Sequence, residues 1–212
     1  MSDFPDTPLP AAEFLEDWLP RAFAAAEVPD EVKAVDLELG VQLEGEGGGE
    51  WLFQLLNGSL DVRAASREAA AFTLVQTVAD WRGALWEGRG GAIGKGASSV
   101  FRPAALAGVD TASGGLLKPP GPAALAQMRA LDGLLSLVVT GAEGGDWGVR
   151  FKLGPGEIPA EPNTRVTLSA DDAAALERGE LNPIEALMAG RIQVDGDIAL
   201  LMQMQAAAMS GG

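Results

Sequence analysis

Three places in this sequence carry residues that could do polar chemistry: the pair Asp171-Asp172, the pair Asp195 and Asp197 around Gly196, and the stretch GRGGAIGKGAS at residues 88–98. None has the partners that chemistry needs. Asp171 and Asp172 follow Ser169 at a helix start, where carboxylates complement the helix dipole. Asp195 and Asp197 flank a glycine in a turn, with no histidine to complete a metal site. The glycine stretch lacks the Gly-Lys-Ser/Thr ending of a phosphate loop, because Gly96 follows Lys95, and no buried strand precedes it. It reads as a solvated flexible loop. The chain has no histidine, cysteine or tyrosine. The commonest general base at neutral pH is therefore missing, with every Ser-His-Asp or Cys-His arrangement and every cysteine-ligated zinc. The sequence predicts no catalysis, no metal and no cofactor.

What remains is apolar chemistry. Four of the six methionines, Met188, Met202, Met204 and Met209, lie near the C-terminus. Methionine is flexible and polarizable, and so suits surfaces that adapt to apolar chains of different shape. The last helix carries Ile198, Leu200, Leu201, Met202 and Met204, more than one narrow stripe. Such a helix is buried on two sides, or it lines a cavity. Trp147, Val149 and Phe151 alternate along a strand and share a face. An ordinary core and a ligand-lined interior both satisfy these patterns.

The elements that must position these residues are legible from periodicity and punctuation. Residues 1–10 read as a loose arm. Ala11 to Glu27 is helical, with Phe14, Leu15, Trp18, Leu19, Ala22 and Phe23 on one side and a kink expected at Pro20. Val35 to Leu43 alternates as a strand, and residues 45–49 turn into the strand WLFQLL. Short strands follow at Ser59–Val62 and Ala71–Val75, then a helix at Thr77–Trp86. Trp81, Leu85 and Trp86 on that helix are expected to pack against the second half or to form a dimer surface. Glu87 to Gly121, rich in glycine and proline, reads as a linker or flap. Pro122–Asp132 is a helix, and Leu134–Leu153 a hairpin turning at Gly144-Gly145. Arg165–Leu168 is a strand. A helix capped by Ser169 and a short helix from Pro183 to Gly190 come next. The chain closes with a strand holding Ile192 and Val194, and a helix at Ile198–Met209.

The formal charge is −15, from 30 acidic and 15 basic residues. Such a surface repels nucleic acid and anionic membranes and favours solubility. No apolar run reaches the roughly 18 residues of a membrane helix, so stable membrane insertion is not expected. The N-terminus has neither the basic start nor the apolar stretch of a signal peptide, and a cytoplasmic location is expected.

The two halves repeat an order: helix, hairpin, short strand, helix. GGEW at Gly48–Trp51 matches GGDW at Gly144–Trp147, and Phe72-Thr73-Leu74 matches Val166-Thr167-Leu168. In the second half, Thr167-Leu168-Ser169, Gly179 to Pro183, Leu187 to Gly190 and Ile192 to Gly196 occur in the order found in the sterol carrier protein (type-two) family, which residues 163–212 resemble. The first half follows that pattern in outline only, without the Leu-x-Pro and Met-x-Gly steps. The resemblance implies an α+β fold of two tandem sterol-carrier-like domains, each a curved, mainly antiparallel sheet covered by helices. The boundaries expected are a degenerate copy at 11–88, a linker or flap at 89–121 and a lipid-binding domain at 122–212. It further implies noncatalytic binding of a sterol, fatty acyl chain or phospholipid in an apolar tunnel. The residues expected to line it are Trp147, Val149, Phe151, Leu168, Leu176, Leu187, Met188, Ile192, Val194, Ile198, Leu201 and Met202. An alternative is an adaptor with a collapsed cavity, bound to a protein partner or to a second copy of itself.

Overall fold

A computed structural model describes residues 4–26, 30–33, 36–106 and 122–209. The elements run in the expected order. A π-helical turn, Glu13–Trp18, leads into α1 (Leu19–Ala24), and α2 (Asp30–Lys33) is short. The strands β1 (Leu37–Glu44), β2 (Gly49–Leu56), β3 (Ser59–Ala64) and β4 (Phe72–Thr77) follow. Next come α3 (Val78–Arg82), a second π-turn (Gly83–Glu87), α4 (Gly91–Ala97), a 3-10 turn (Ser98–Phe101), α5 (Pro103–Leu106) and α6 (Pro122–Met128). The second half holds β5 (Gly133–Thr140), β6 (Trp147–Leu153), β7 (Thr164–Ser169), α7 (Ala170–Glu177), α8 (Pro183–Met188), β8 (Ile192–Gly196) and α9 (Ile198–Met209). The disturbance expected at Pro20 appears as the wide winding just before it. The Leu19 N–H reaches back five residues to the Phe14 carbonyl, a local adjustment to a proline that has no N–H to give.

The expectation of one sheet per half differs from the structure. All eight strands form a single sheet, ordered β3-β2-β1-β4-β6-β5-β7-β8. The two halves join where β4 pairs antiparallel with β6, Phe72 opposite Leu153 through Val75 opposite Arg150. Separate sheets would leave β4 and β6 as open edges with unpaired N–H and C=O groups. Joining them satisfies both ladders. Loops fasten the seam from the polar side: Arg67 donates to the Gly156 carbonyl at 2.6 Å, and the Gly156 N–H donates to the Glu68 carbonyl at 2.7 Å.

Strand alternation sorts the side chains onto two unlike faces. The inner face is mainly apolar, from Leu60 and Val62 on β3 to Ile192 and Val194 on β8, with Gln76 and Thr164 as buried polar exceptions. The outer face is mixed: it carries cross-strand polar pairs such as Arg150 with Glu44 and Gln54 with Glu38 beside the buried Val75 and Leu134. Lys152 lies on that face at 1% exposure. Its ammonium donates to Asp132 at 2.9 Å and to the carbonyls of Leu153, Gly154 and Pro155, so its burial leaves no orphaned charge.

Three expectations for the first half need correction. The glycine-rich stretch is no open linker between residues 91 and 106: α4 and the 3-10 turn are helical, and Ile93, Val100 and Phe101 are buried. Glycine and alanine make that helix narrow enough to lie close to its neighbours, and Ser98 and Ser99 return their hydroxyls to the Gly94 and Gly96 carbonyls. Residues 107–121 lie outside the described residues. The arm before residue 10 is not loose from Phe4 onward, because the Phe4 ring packs on Phe14, Trp18 and Trp86. Finally, Trp81 and Leu85 are fully buried inside the first half, and the Trp86 indole donates to the Pro5 carbonyl at 2.7 Å. These side chains form no free dimer surface.

Candidate functional site

The second half lays its inner-face residues in rows across four strands. One row runs Trp147, Val139, Leu168, Ile192. The next runs Val149, Leu137, Val166, Val194, and a third runs Phe151, Leu135, Thr164, Gly196. The helices cover these rows unequally. The chain leaves β7 past Leu168 to form α7, and leaves β8 past Gly196 to form α9, at opposite ends of the strands. Helix α9 is drawn down at its own end by Leu200, which packs on Gly133; a Cβ there would sit 2.6 Å from a Leu200 methyl. The middle row lies between the two helices. It is closed at Val149, 2% exposed, and only partly covered at Leu137 and Val194. Leu176 of α7, with Leu201 and Met204 of α9, is half-buried against the same core. Together Leu137 and Val194 on the sheet, beside the buried Val166, and Leu176, Leu201 and Met204 on the helices mark a candidate apolar groove between α7 and α9.

The start of α7 fixes one wall. The Ser169 hydroxyl donates to the Asp172 carboxylate at 2.8 Å and accepts from the Asp172 N–H at 3.1 Å. Asp172 also pairs with Arg191 at the foot of β8. The Ser169 hydrogen bond is the main cause holding the Asp172 carboxyl below its ordinary value of 3.8, with Arg191 adding to it and burial opposing. A carboxyl depressed in the folded state stabilises fully above its unfolded value, and that contribution is lost as pH falls through the folded value. Ser169→Ala should therefore cost about 1 kcal/mol at pH 7, as lost caps do. The deficit should shrink as the pH falls below 3.8 and through the lowered folded value, where Asp172 takes up its proton. Urea titrations of both proteins at pH 7 and pH 2.5 would show this; an equal deficit at both pH values would contradict it.

The twelve residues expected to line a tunnel fall into three groups. Trp147, Val149, Phe151 and Leu168 are buried in the packed core. The Trp147 indole donates to the Asp80 carbonyl at 2.9 Å and lies against Gly90, so helices of the first half occupy the space above it. Leu176, Ile192, Val194 and Leu201 are half-buried along the groove. Leu187, Met188, Ile198 and Met202 stand on the surface, Met188 at 84% exposure. The reason is helical phase. Helix α8 turns Ala186 inward, and α9 turns Leu200 and Ala207 inward, which sends Leu187 and Met188 of α8 and Ile198 and Met202 of α9 outward. Leu137 and Val166 were not among the expected residues. The Gly144-Gly145 turn held the signal, because once the hairpin register is set, Leu137 must lie opposite Val149.

Among the described residues, no cluster of carboxylates is placed to hold a metal, and no helix is long and apolar enough to cross a membrane. A hollow of about 350 Å³ at the β7–β8 edge is lined by Glu161, Pro162, Asn163, Arg165, Asp195 and Gly196. Arg165 and Asp195 point to the outer face, so this hollow is separate from the apolar groove.

Comparisons with known proteins find similarity in the second half of the chain. The Xenopus tropicalis protein named hydroxysteroid dehydrogenase-like protein 2 is 29% identical over 83 residues, a match covering 37% of this chain. The chain spans only 20% of that relative's length. Among solved structures, sterol carrier protein 2 like 2 from Aedes aegypti is 24% identical, covering 39% of this chain and 84% of that one, with a TM-score of 0.28. Sterol carrier protein 2 from Yarrowia lipolytica is 14% identical, covering 42% and 77%, with a TM-score of 0.30. The model of the SCP-2 sterol transfer family matches residues 116–209, the segment that builds the groove. The C-terminal half of this chain is an SCP-2 sterol transfer family domain.

Proposed function

We propose that the protein is a noncatalytic carrier in the cytoplasm that holds one apolar chain, such as a fatty acyl group, in the groove between α7 and α9. The observation that carries this reading is the incomplete cover over Leu137 and Val194, on either side of the buried Val166 in the middle inner row, with Ile192, Leu176, Leu201 and Met204 half-buried around them. Folding normally covers such side chains, and each methylene that a ligand buries there gains about 0.8 kcal/mol. The family of the domain supports the same reading. The noncatalytic part rests on chemistry: no histidine, cysteine or tyrosine exists in the chain, and the buried Lys152 ammonium is held by four oxygens on the opposite face. The test is displacement of a fluorescent fatty acid, alongside native mass spectrometry of the purified protein. The carrier reading expects saturable binding and a bound chain; failure to bind any acyl chain would remove it.

The exposed Ile184, Leu187, Met188, Ile198 and Met202 favour a second reading, in which α8 and α9 dock on a protein partner. One stoichiometric partner, lost on Met188→Glu while fatty acid binding is kept, would support that role.

A further inference from the structure

The first half repeats the pairing pattern of the second. Val41 lies opposite both Trp51 and Leu74, as Val139 lies opposite both Trp147 and Leu168. Leu39 lies opposite Phe53, as Leu137 lies opposite Val149. Each half then starts a helix with a hydroxyl cap and an aspartate three residues on, Thr77 with Asp80 and Ser169 with Asp172. The row that stays partly open in the second half is full in the first. Phe53 stands where Val149 would be and Phe72 where Val166 would be; Leu39, the counterpart of Leu137, is 1% exposed. Phe101 closes over Phe53 with ring centres 6.1 Å apart. Elements of this filled half sit at the inner end of the groove, through the β4–β6 pairing, the Asp80 carbonyl on Trp147, and α4 packed on α7.

We propose, on the reading above that the groove holds an apolar chain, that the first half is a filled, non-binding counterpart acting as the groove's end wall. The protein then takes one chain, with its polar head left at the β8 edge, and Val149 sets the length. From Val194 to Val149 is three strand spacings, about 14 Å. Extended chain advances about 1.2 Å per bond, which corresponds to roughly ten to twelve carbons. A longer chain would have to fold back or leave methylenes in water.

Displacement titrations with saturated fatty acids of eight to eighteen carbons test this on the full-length protein. Wild type should bind one chain per molecule. Affinity should rise about fourfold per methylene and stop rising near ten to twelve carbons. Val149→Ala should move that limit to longer chains by about two carbons. Val149→Leu, which keeps the end closed should the alanine variant prove too unstable, should move it shorter. Two chains per molecule, affinity that climbs steadily to eighteen carbons, or a limit unchanged in both variants would each overturn the end wall while leaving the carrier standing. Absence of binding at every length would overturn both.

Discussion

Trp147→Ala is expected to lower the unfolding free energy by about 3–5 kcal/mol, the usual cost of emptying a large buried aromatic site. Trp147 is 1% exposed, its indole N–H is committed to the Asp80 carbonyl at 2.9 Å, and Gly90 is set against its ring. Gly90 has a φ of 77°, and a Cβ there would lie 2.6 Å from the ring. One side chain thus keys the second half to the helix and loop of the first. For a chain of this size the thermal midpoint should fall by roughly 10 °C. Trp147→Phe keeps most of the volume and loses the hydrogen bond, so it should cost clearly less. Calorimetry of the three proteins would decide. A loss below about 1 kcal/mol in the alanine variant would mean that the halves are held together elsewhere, for instance by Arg67 and the β4–β6 ladder alone.

Leu137→Trp carries the largest expected effect on function. Leu137 sits at the middle of the groove floor, between Val149 and Val166, and its side chain is only partly covered. An indole placed there should fill the groove from the floor, as Phe53 and Phe72 fill the corresponding row in the first half. The substitution enlarges a partly open site, so its cost to the fold should stay below the 1–3 kcal/mol of overpacking a closed core. Fatty acid affinity should fall at least tenfold, which is about 1.4 kcal/mol of binding free energy, while the far-UV spectrum stays unchanged. Affinity within twofold of wild type would place the ligand elsewhere.

Local structure was largely legible in the sequence. Alternation located the strands, glycine pairs located the hairpin turns, and Ser169 was readable as a cap before its hydrogen bonds were known. These signals act over a few residues and survive any tertiary arrangement. The seam between the halves was not legible. Pairing of β4 with β6 depends on two edges some eighty residues apart, and alternation within each strand is the same whether or not that edge is covered. The glycine-rich helix α4 was hidden for a related reason: glycine lowers helix propensity, and burial against α7 and the π-turn overrode it.

The site was half legible. The family-like order over residues 163–212 pointed to the half that the family model matches, and the alternation of Trp147, Val149 and Phe151 placed them on one face of the sheet. Which row stays open depends on where α7 and α9 lie over the sheet, and no local pattern states that. Methionine content misled for the same reason. Met188 and Met202 are adaptable side chains, but helical phase turns both outward, while Met204, two residues on, reaches the core.

The proposed ligand is one apolar chain along the row Val194, Val166, Leu137 between α7 and α9. The most direct measurement is photolabelling with a fatty acid of about twelve carbons carrying a diazirine at its methyl end, followed by peptide mapping. Saturable labelling, competed by unlabelled fatty acid, is expected on β5 and β6 near Leu137 and Val149, with none on Phe53 or Phe72. Labelling spread over the surface helices, or concentrated in the first half, would contradict it.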